Sequence, residues 1–376
     1  MKLISIVPNF SPVSDGIGDY ALSLARACQA KAGIQSHFIV ANPFWKGNNR
    51  VEEFEVSHLP SRSTKDLLHL LESLSTEQSA ALLLHYEGYG YAQRGCPLWL
   101  VQALEQWRTG NDKYRLLTMF HELYATGPPW TSAFWLSTLQ KSLTTRLARL
   151  SDQWITSLEH YAETVRRLSG NMTSHSYSLP VFSSIGEPIT TPPLIERQRR
   201  LVVFGTRGRR IEVYKRSAAD LNRICQRLGI TEILDVGRSI EFDFAGKLTV
   251  PVITSGVLPG VEISRLLLDA VAGVIDYPPG MLAKSTIFAA YCAHRMIPLV
   301  AAYGDATPAD GLEMDKHYWL TDVASKRLNL DDGQVIADNT LAWYQTHNLS
   351  KHAATFAACL GNNGHTANEN AVGVGT

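Results

Sequence analysis

Apolar positions in the first 180 residues follow two rhythms. Short apolar runs at 3–7, 36–41, 80–85, 114–120 and 153–156 have the length and composition of buried strands. Between them, stretches at 18–31, 64–74, 97–107 and 134–150 repeat with a helical period. The strongest of these predicts one stripe through Leu136, Leu139, Leu143, Leu147 and Leu150. "TSLEHYAETVRRL" follows, where Thr156 and Glu159 have the spacing of a capping box at a helix start.

The rhythm stops at 183–200, "SSIGEPITTPPLIERQRR", which is proline-rich, polar and without period, and reads as an interdomain linker. It then resumes. Strands are expected at 201–204, 232–236, 274–277 and 297–300, and helices at 217–228, 261–272 and 284–292. The last residues, 362–376, lack apolar anchors and are expected to be disordered. Two successive alternations predict an α/β protein with two Rossmann-like, doubly wound domains, 1–182 and 201–361, each a parallel sheet covered by helices. Such sheets bind ligands at the carboxyl ends of their strands, and two of them facing across a cleft make that cleft the expected site.

Composition narrows the class. Lys+Arg and Asp+Glu are equal at 35, so the basic excess of a nucleic-acid binder is missing. The five cysteines are far apart and form no CxxC pair, which points to a reducing compartment without structural zinc. The apolar run at the N-terminus is short and broken by Pro8, and no stretch approaches the roughly 20 apolar residues that span a bilayer. A cytoplasmic location is expected.

Four stretches carry chemistry. "SPVSDGIGDYALSLARA" places Gly16 and Gly18 where a strand passes into a helix, either as a tight turn or as a phosphate cradle. The third glycine and the ribose-binding acid of a dinucleotide fingerprint are missing, which disfavours a nicotinamide dehydrogenase. "VVFGTRGRRIEVYKRSAADL" sets Arg209, Arg210 and Lys215 between a strand and a helix, a combination suited to a diphosphate or else a solvated basic loop. His121 and Glu122 stand directly after a strand in "TMFHELYATGPPW", placed for acid–base or hydrogen-bonding work. Lys284, Ser285 and Thr286 open an apolar helix, as an anion site or as an ordinary cap. Aromatic clusters in "HYEGYGYAQRGCPLW" and "PPWTSAFW" suit either core packing or stacking on sugar or lipid.

Together these stretches, with "LARLSDQWITSLEHYAETVRRL", "LAKSTIFAAYCAHRMIPLV" and "WYQTHNLSKHAATFAACL", resemble the GT-B glycosyltransferases, specifically the large retaining group that uses nucleotide sugars. The resemblance spans nearly the whole chain before the tail. It implies a nucleoside-diphosphate sugar as co-substrate, no other cofactor, no metal, and a glycan or lipid-linked acceptor. Gly16, Gly18, Arg209, Arg210, Lys215, Lys284, Ser285 and Thr286 would bind the donor, His121 would contact the sugar with Glu122 beside it, and the final helix would pack back on the first domain. One departure stands out: the family's two glutamates, with seven residues between them, have no counterpart, and no acidic residue lies between Tyr277 and Gly304. That keeps a non-catalytic scaffold of the same shape, or a nucleotide-sugar epimerase or hydrolase, as alternatives. Peripheral membrane contact through the basic clusters "IERQRR" and "VRRL" is a further expectation, against the plain reading of solvated charge.

Overall fold

The computed structural model describes residues 2–10, 16–75, 80–109, 113–170, 176–301 and 307–361. The tail at 362–376 and the segment 11–15 ahead of Gly16 lie outside them. The described residues divide into two compact units. One takes its residues from Met1–Pro12, Leu24–Trp154 and Ala353–Thr376, the other from Val13–Ser23 and Ile155–His352.

The first sheet contains β1 (Lys2–Val7), β2 (Gln35–Val40), β3 (Arg50–Val51), β4 (Phe54–His58), β5 (Ala80–Tyr86), β6 (Tyr114–Phe120), β7 (Gln153–Thr156) and β8 (Ser176–Ser178), in the order β3-β4-β2-β1-β5-β6-β7-β8. β1 lies between β2 and β5, with Ile4 opposite both His37 and Leu82. These parallel strands are covered on both faces, so their sequences are nearly unbroken apolar runs. Helices α1 (Gly16–Ala32), α2 (Thr64–Leu74), α3 (Gly88–Tyr91), α4 (Leu98–Arg108) and α5 (Ser132–Leu150) connect them, and α6 (Glu159–Ser169) follows β7.

The second sheet contains β9 (Gln198–Phe204), β10 (Glu232–Val236), β11 (Val252–Gly256), β12 (Ala270–Ile275), β13 (Ile297–Val300) and β14 (Trp319–Leu320), ordered β11-β10-β9-β12-β13-β14. Its helices are α7 (Arg207–Leu228), α8 (Gly260–Asp269), α9 (Thr286–Ala293), α10 (Thr321–Arg327) and α11 (Leu330–Gln345); α12 (Leu349–Gly361) follows, its residues from Ala353 on belonging to the first unit. The chain builds outward from β9 through β10 and β11, then returns to lay β12 on the other side of β9. That reversal is the switch point at which open α/β sheets form their ligand crevice.

Several expectations are corrected here. The segment 183–200 is packed rather than a bare linker: Leu194 is fully buried in the core of the second unit, and β9 already starts at Gln198. Helix α6 has no capping box, because Thr156 ends β7 and the Glu159 N–H donates to Asp310 Oδ1 at 2.6 Å instead. Along α5 only Leu143 and Leu147 of the leucine stripe are buried, while Leu139 is exposed. Strand β12 begins at Ala270, inside the span read as helix.

The largest correction concerns α7, which starts ten residues before the expected 217. Its core-facing positions are Arg210, Val213, Tyr214, Ser217, Leu221, Ile224, Cys225 and Leu228. An arginine occupies the first of them, and that hides the apolar stripe from a hydropathy reading. Arg210 is only 1% exposed and is paired with the fully buried Asp235 of β10. Its remaining donors reach the carbonyls of Gly205 (3.0 Å) and Arg238, and Tyr214 donates to Asp235 Oδ2 at 2.8 Å. Burial pushes the Asp235 carboxyl and the Tyr214 hydroxyl up, with the neighbouring carboxylate adding to the tyrosine's shift. Arg210 was a candidate donor ligand; it is instead a buried brace joining the ends of β9 and β10 to the first turn of α7.

Two predictions concern stability. Asp235→Ala leaves a buried guanidinium unpaired, so the unfolding transition of the second unit should lose about 3–5 kcal/mol in urea titration; a loss under about 1 kcal/mol would show that the brace is dispensable. Burial lowers His85 and His347 to about 3, His294 and His352 to about 4, and His317 in the same direction. A histidine neutral when folded but protonated when unfolded stabilises the fold above the unfolded value of 6.5, and that contribution is lost as pH falls through 6.5 toward the folded value. Asp235 and Asp310, both raised, act in the opposite sense. Stability should therefore fall between pH 6.5 and 5 by up to about 1.4 kcal/mol per pH unit for each histidine, and a flat profile of melting temperature there would contradict these buried neutral rings.

Candidate functional site

In the second unit the candidate residues gather at the carboxyl ends of β9 and β12. Helix α7 begins after Thr206, whose side chain makes no capping bond. The first N–H groups of a helix lack partners within it and, with the helix dipole, favour an anion. A Cβ added at Gly208 would meet no atom within 4 Å, so the backbone here is open to approach.

Arg209 sits in this first turn. Its Nη1 donates to Asp276 Oδ2 at 3.3 Å, and its guanidinium lies 5.2 Å from the centre of the Tyr277 ring. Arg216, two helical turns on, donates to the other oxygen of Asp276 at 2.8 Å. Asp276 is nearly buried at the end of β12, whereas the Arg209 side chain is 45% exposed. One edge of Arg209 is thus held by a carboxylate and a ring while the rest reaches solvent. Such a guanidinium is oriented before any anion arrives. The basic stretch was expected to precede a helix, but it forms the helix. Lys215 lies six residues beyond Arg209, about a third of a turn away around α7, and pairs with Glu212 at 3.5 Å. Arg216, which the sequence reading passed over, is the side chain that joins Arg209 at Asp276.

A second helix opens on the same sheet edge. Ser285 caps α9, its hydroxyl accepting the Phe288 N–H at 3.2 Å, as the ordinary cap reading foresaw. Lys284 Nζ lies 5.5 Å from the ring centre of Tyr161, and Thr286 begins α9. Gly205 and Gly273 let these parts close up. Gly205 has φ +138°, and a Cβ there would fall 2.7 Å from Ile287 in the first turn of α9. A Cβ on Gly273 would enter the ring of Tyr291, whose hydroxyl accepts from Phe204 N–H (3.3 Å) and donates to the Val274 carbonyl (3.2 Å). The end of β9, β12 and α9 are therefore tied through one phenol.

Gly16 and Gly18 lie inside the first turn of α1, not in a loop before it. Gly16 is exposed with open space beyond it; Gly18 is buried. Just beyond, Tyr20 stacks on Phe182 at 4.4 Å and its hydroxyl lies 3.0 Å from His352 Nδ1.

In the first unit, His121 follows β6 and its N–H donates to the Tyr86 carbonyl at 2.9 Å. Its Nε2 lies 3.2 Å from Nδ1 of His85, and the two rings stack at 24°. His85 is fully buried and neutral, so it orients His121 without adding charge. Glu122 lines a cavity of about 210 Å³ with Glu87, Tyr89, Tyr124 and Gln140. The buried Gln140 amide holds this wall, accepting the Ala125 N–H at 2.8 Å and donating to the Arg94 carbonyl at 2.9 Å. Of the aromatic cluster ahead of it, Tyr86 and Tyr91 are core, while Tyr89 is 46% exposed. Sequence reasoning missed Asp276, Arg216, His85, Glu87 and Gln140. Only Asp276 carried a signal, as a lone acid directly after the apolar run "AVAGVI".

No family model matches the sequence, and no curated protein matches it either. Solved structures do. An E. coli trehalose-6-phosphate protein bound with UDP-2-fluoro glucose superposes with a TM-score of 0.60 at 10% identity, over 96% of this chain and 99% of that one. TarM gives 0.61 at 9% identity with the same coverage. WaaG, a glycosyltransferase involved in lipopolysaccharide biosynthesis, gives 0.56 at 11%, over 96% of this chain and 100% of its own. At such identities the likeness is one of fold: the chain has the GT-B fold, as its resemblance to those glycosyltransferases implied.

Proposed function

We propose that the protein is a glycosyltransferase that moves a sugar from a nucleoside-diphosphate sugar to a glycan or lipid-linked acceptor. The observation that carries this reading is the uncapped first turn of α7, with Arg209 fixed beside it by Asp276 and Tyr277 at the switch point of the second sheet. As the glycosidic bond breaks, negative charge grows on the departing diphosphate. N–H groups and a guanidinium already aimed at that place stabilise it without reorganising, so the reaction needs no metal. The opening of α9, with Lys284 and Thr286, adds a second helix dipole at the same edge.

The first unit is assigned the sugar and acceptor. His121, held by His85, offers a hydrogen bond to a sugar hydroxyl, and the cavity at Glu122 and Glu87 suits a hydroxyl-rich acceptor through two carboxylates and a tyrosine face. Retention of configuration rests on the resemblance alone. The family's glutamate pair is missing from the 278–303 stretch, and Asp276, two residues before it, is engaged by two arginines. A donor gripped mainly through its diphosphate fits that inventory.

The test is thermal unfolding against a panel of UDP-, GDP-, ADP- and dTDP-sugars, followed by transfer assays. A donor at about 100 times its dissociation constant should add about 2.7 kcal/mol to the second unit. Arg209→Ala should weaken that donor about 10- to 100-fold, the range for one charged hydrogen bond, while Lys215→Ala weakens it less. His121→Ala should lower transfer and leave donor binding intact. Stabilisation by no nucleotide sugar would favour the scaffold reading, and consumption of the donor with no acceptor present would favour an epimerase or hydrolase.

A further inference from the structure

The first two turns of α5 and the residues just before them carry an apolar surface that the transferase reading does not use. Trp130 is 83% exposed and Trp135 73%, with Phe134 and Leu139 each 43% exposed. Phe134 and Trp135 meet edge to face at 5.4 Å. The buried face of α5 begins only at Gln140 and continues through Leu143, Thr144, Leu147 and Ala148. Its N-terminal half therefore presents large apolar side chains with no covering element among the described residues. An exposed aromatic cluster of this kind marks an interaction surface.

Charge selects the occupant. From Leu123 to Ser151 the chain has no acidic residue, while Lys141, Arg146 and Arg149 are basic. Arg146 is held by Glu105, and Lys141 is exposed seven residues past Phe134, two helical turns on along the same face of α5. Tryptophan favours the boundary between hydrocarbon and headgroup, and cations just behind it favour anionic headgroups. A glycan platform would instead draw carboxylates or free amides from the same segment, and between Leu123 and Ser151 the chain supplies no carboxylate while the Gln140 amide is buried and bonded. Of the basic clusters that suggested membrane contact from sequence, three arginines are engaged elsewhere: Arg197 is buried against the Pro192 and Ala270 carbonyls, Arg200 pairs with Glu232, and Arg166 pairs with Glu159. Among the described residues no helix is long and apolar enough to cross a bilayer, so contact would be made from the surface.

We propose that Trp130, Phe134, Trp135 and Leu139, backed by Lys141, dock the first unit on the interface of an anionic lipid bilayer. This surface belongs to the first unit and uses none of the donor-site residues, so it can hold or fail independently of the transferase reading.

Full-length protein is sedimented with phosphatidylcholine vesicles, with and without phosphatidylglycerol. The protein should bind the anionic vesicles, more weakly as salt is raised, and brominated lipid should quench part of its tryptophan fluorescence. Trp130→Ser with Trp135→Ser should reduce binding at least about tenfold, and Lys141→Glu should reduce the preference for anionic lipid. The melting temperature of each variant should match the unaltered protein, since both indoles are exposed. Equal vesicle binding by the double variant, or no binding by the unaltered protein, would overturn the proposal. So would a concentration-dependent dimer that the double variant dissolves in ultracentrifugation without any vesicle binding, because the patch would then join two copies of the chain.

Discussion

The buried ion pair between Arg210 and Asp235 is the contact on which the candidate donor site depends. It sits where the second sheet's first two strands end. A guanidinium with donors pointing three ways can satisfy the Asp235 carboxylate and the carbonyls of Gly205 and Arg238 at once, which no apolar side chain could do. Isolated, each charge would be very costly in that position; together they fix the relation between two strand ends and the start of α7. Gly237, with φ +138°, would bring any Cβ to 2.9 Å from the Arg210 guanidinium, so the brace also dictates a glycine on the loop that wraps it.

From that brace the rest of the site follows in short steps. Fixing Arg210 fixes the direction in which its neighbour Arg209 leaves the helix, toward the end of β12. Asp276 and Tyr277 then hold Arg209 with part of its guanidinium still reaching solvent. Tyr291, lying on Gly273, ties β9 to β12 and brings the first turn of α9 against Gly205. Two helix N-termini thus open on one sheet edge, and the charge they favour is negative. The first unit repeats the principle in neutral form, with His85 kept uncharged by burial so that it can orient His121 at the end of β6.

Much of this was legible in the sequence. Parallel strands covered on both faces betray themselves as apolar runs, and β1, β2, β5, β6 and β13 were located within a residue or two. His121 and Arg209 were singled out because they follow such runs, and Ser285 because it opens an apolar helix. What was hidden depends on contacts far apart in sequence. The start of α7 was lost because its first core-facing residue is an arginine, explained only by Asp235 on a later strand. The cap of α6 was lost because Asp310 supplies it from 151 residues away. Leu194 looked like part of a linker because one buried side chain among prolines makes no pattern. His85 read as part of an apolar strand, and only its distance to His121 gives it a role.

The most direct test of the account is a crystal structure of the protein with a nucleoside diphosphate. The diphosphate is expected at the carboxyl end of β9, its oxygens about 2.7–3.2 Å from the first N–H groups of α7 and from the Arg209 guanidinium. A diphosphate bound at another place, or none at saturating concentration, would contradict the assignment of this sheet edge as the donor site.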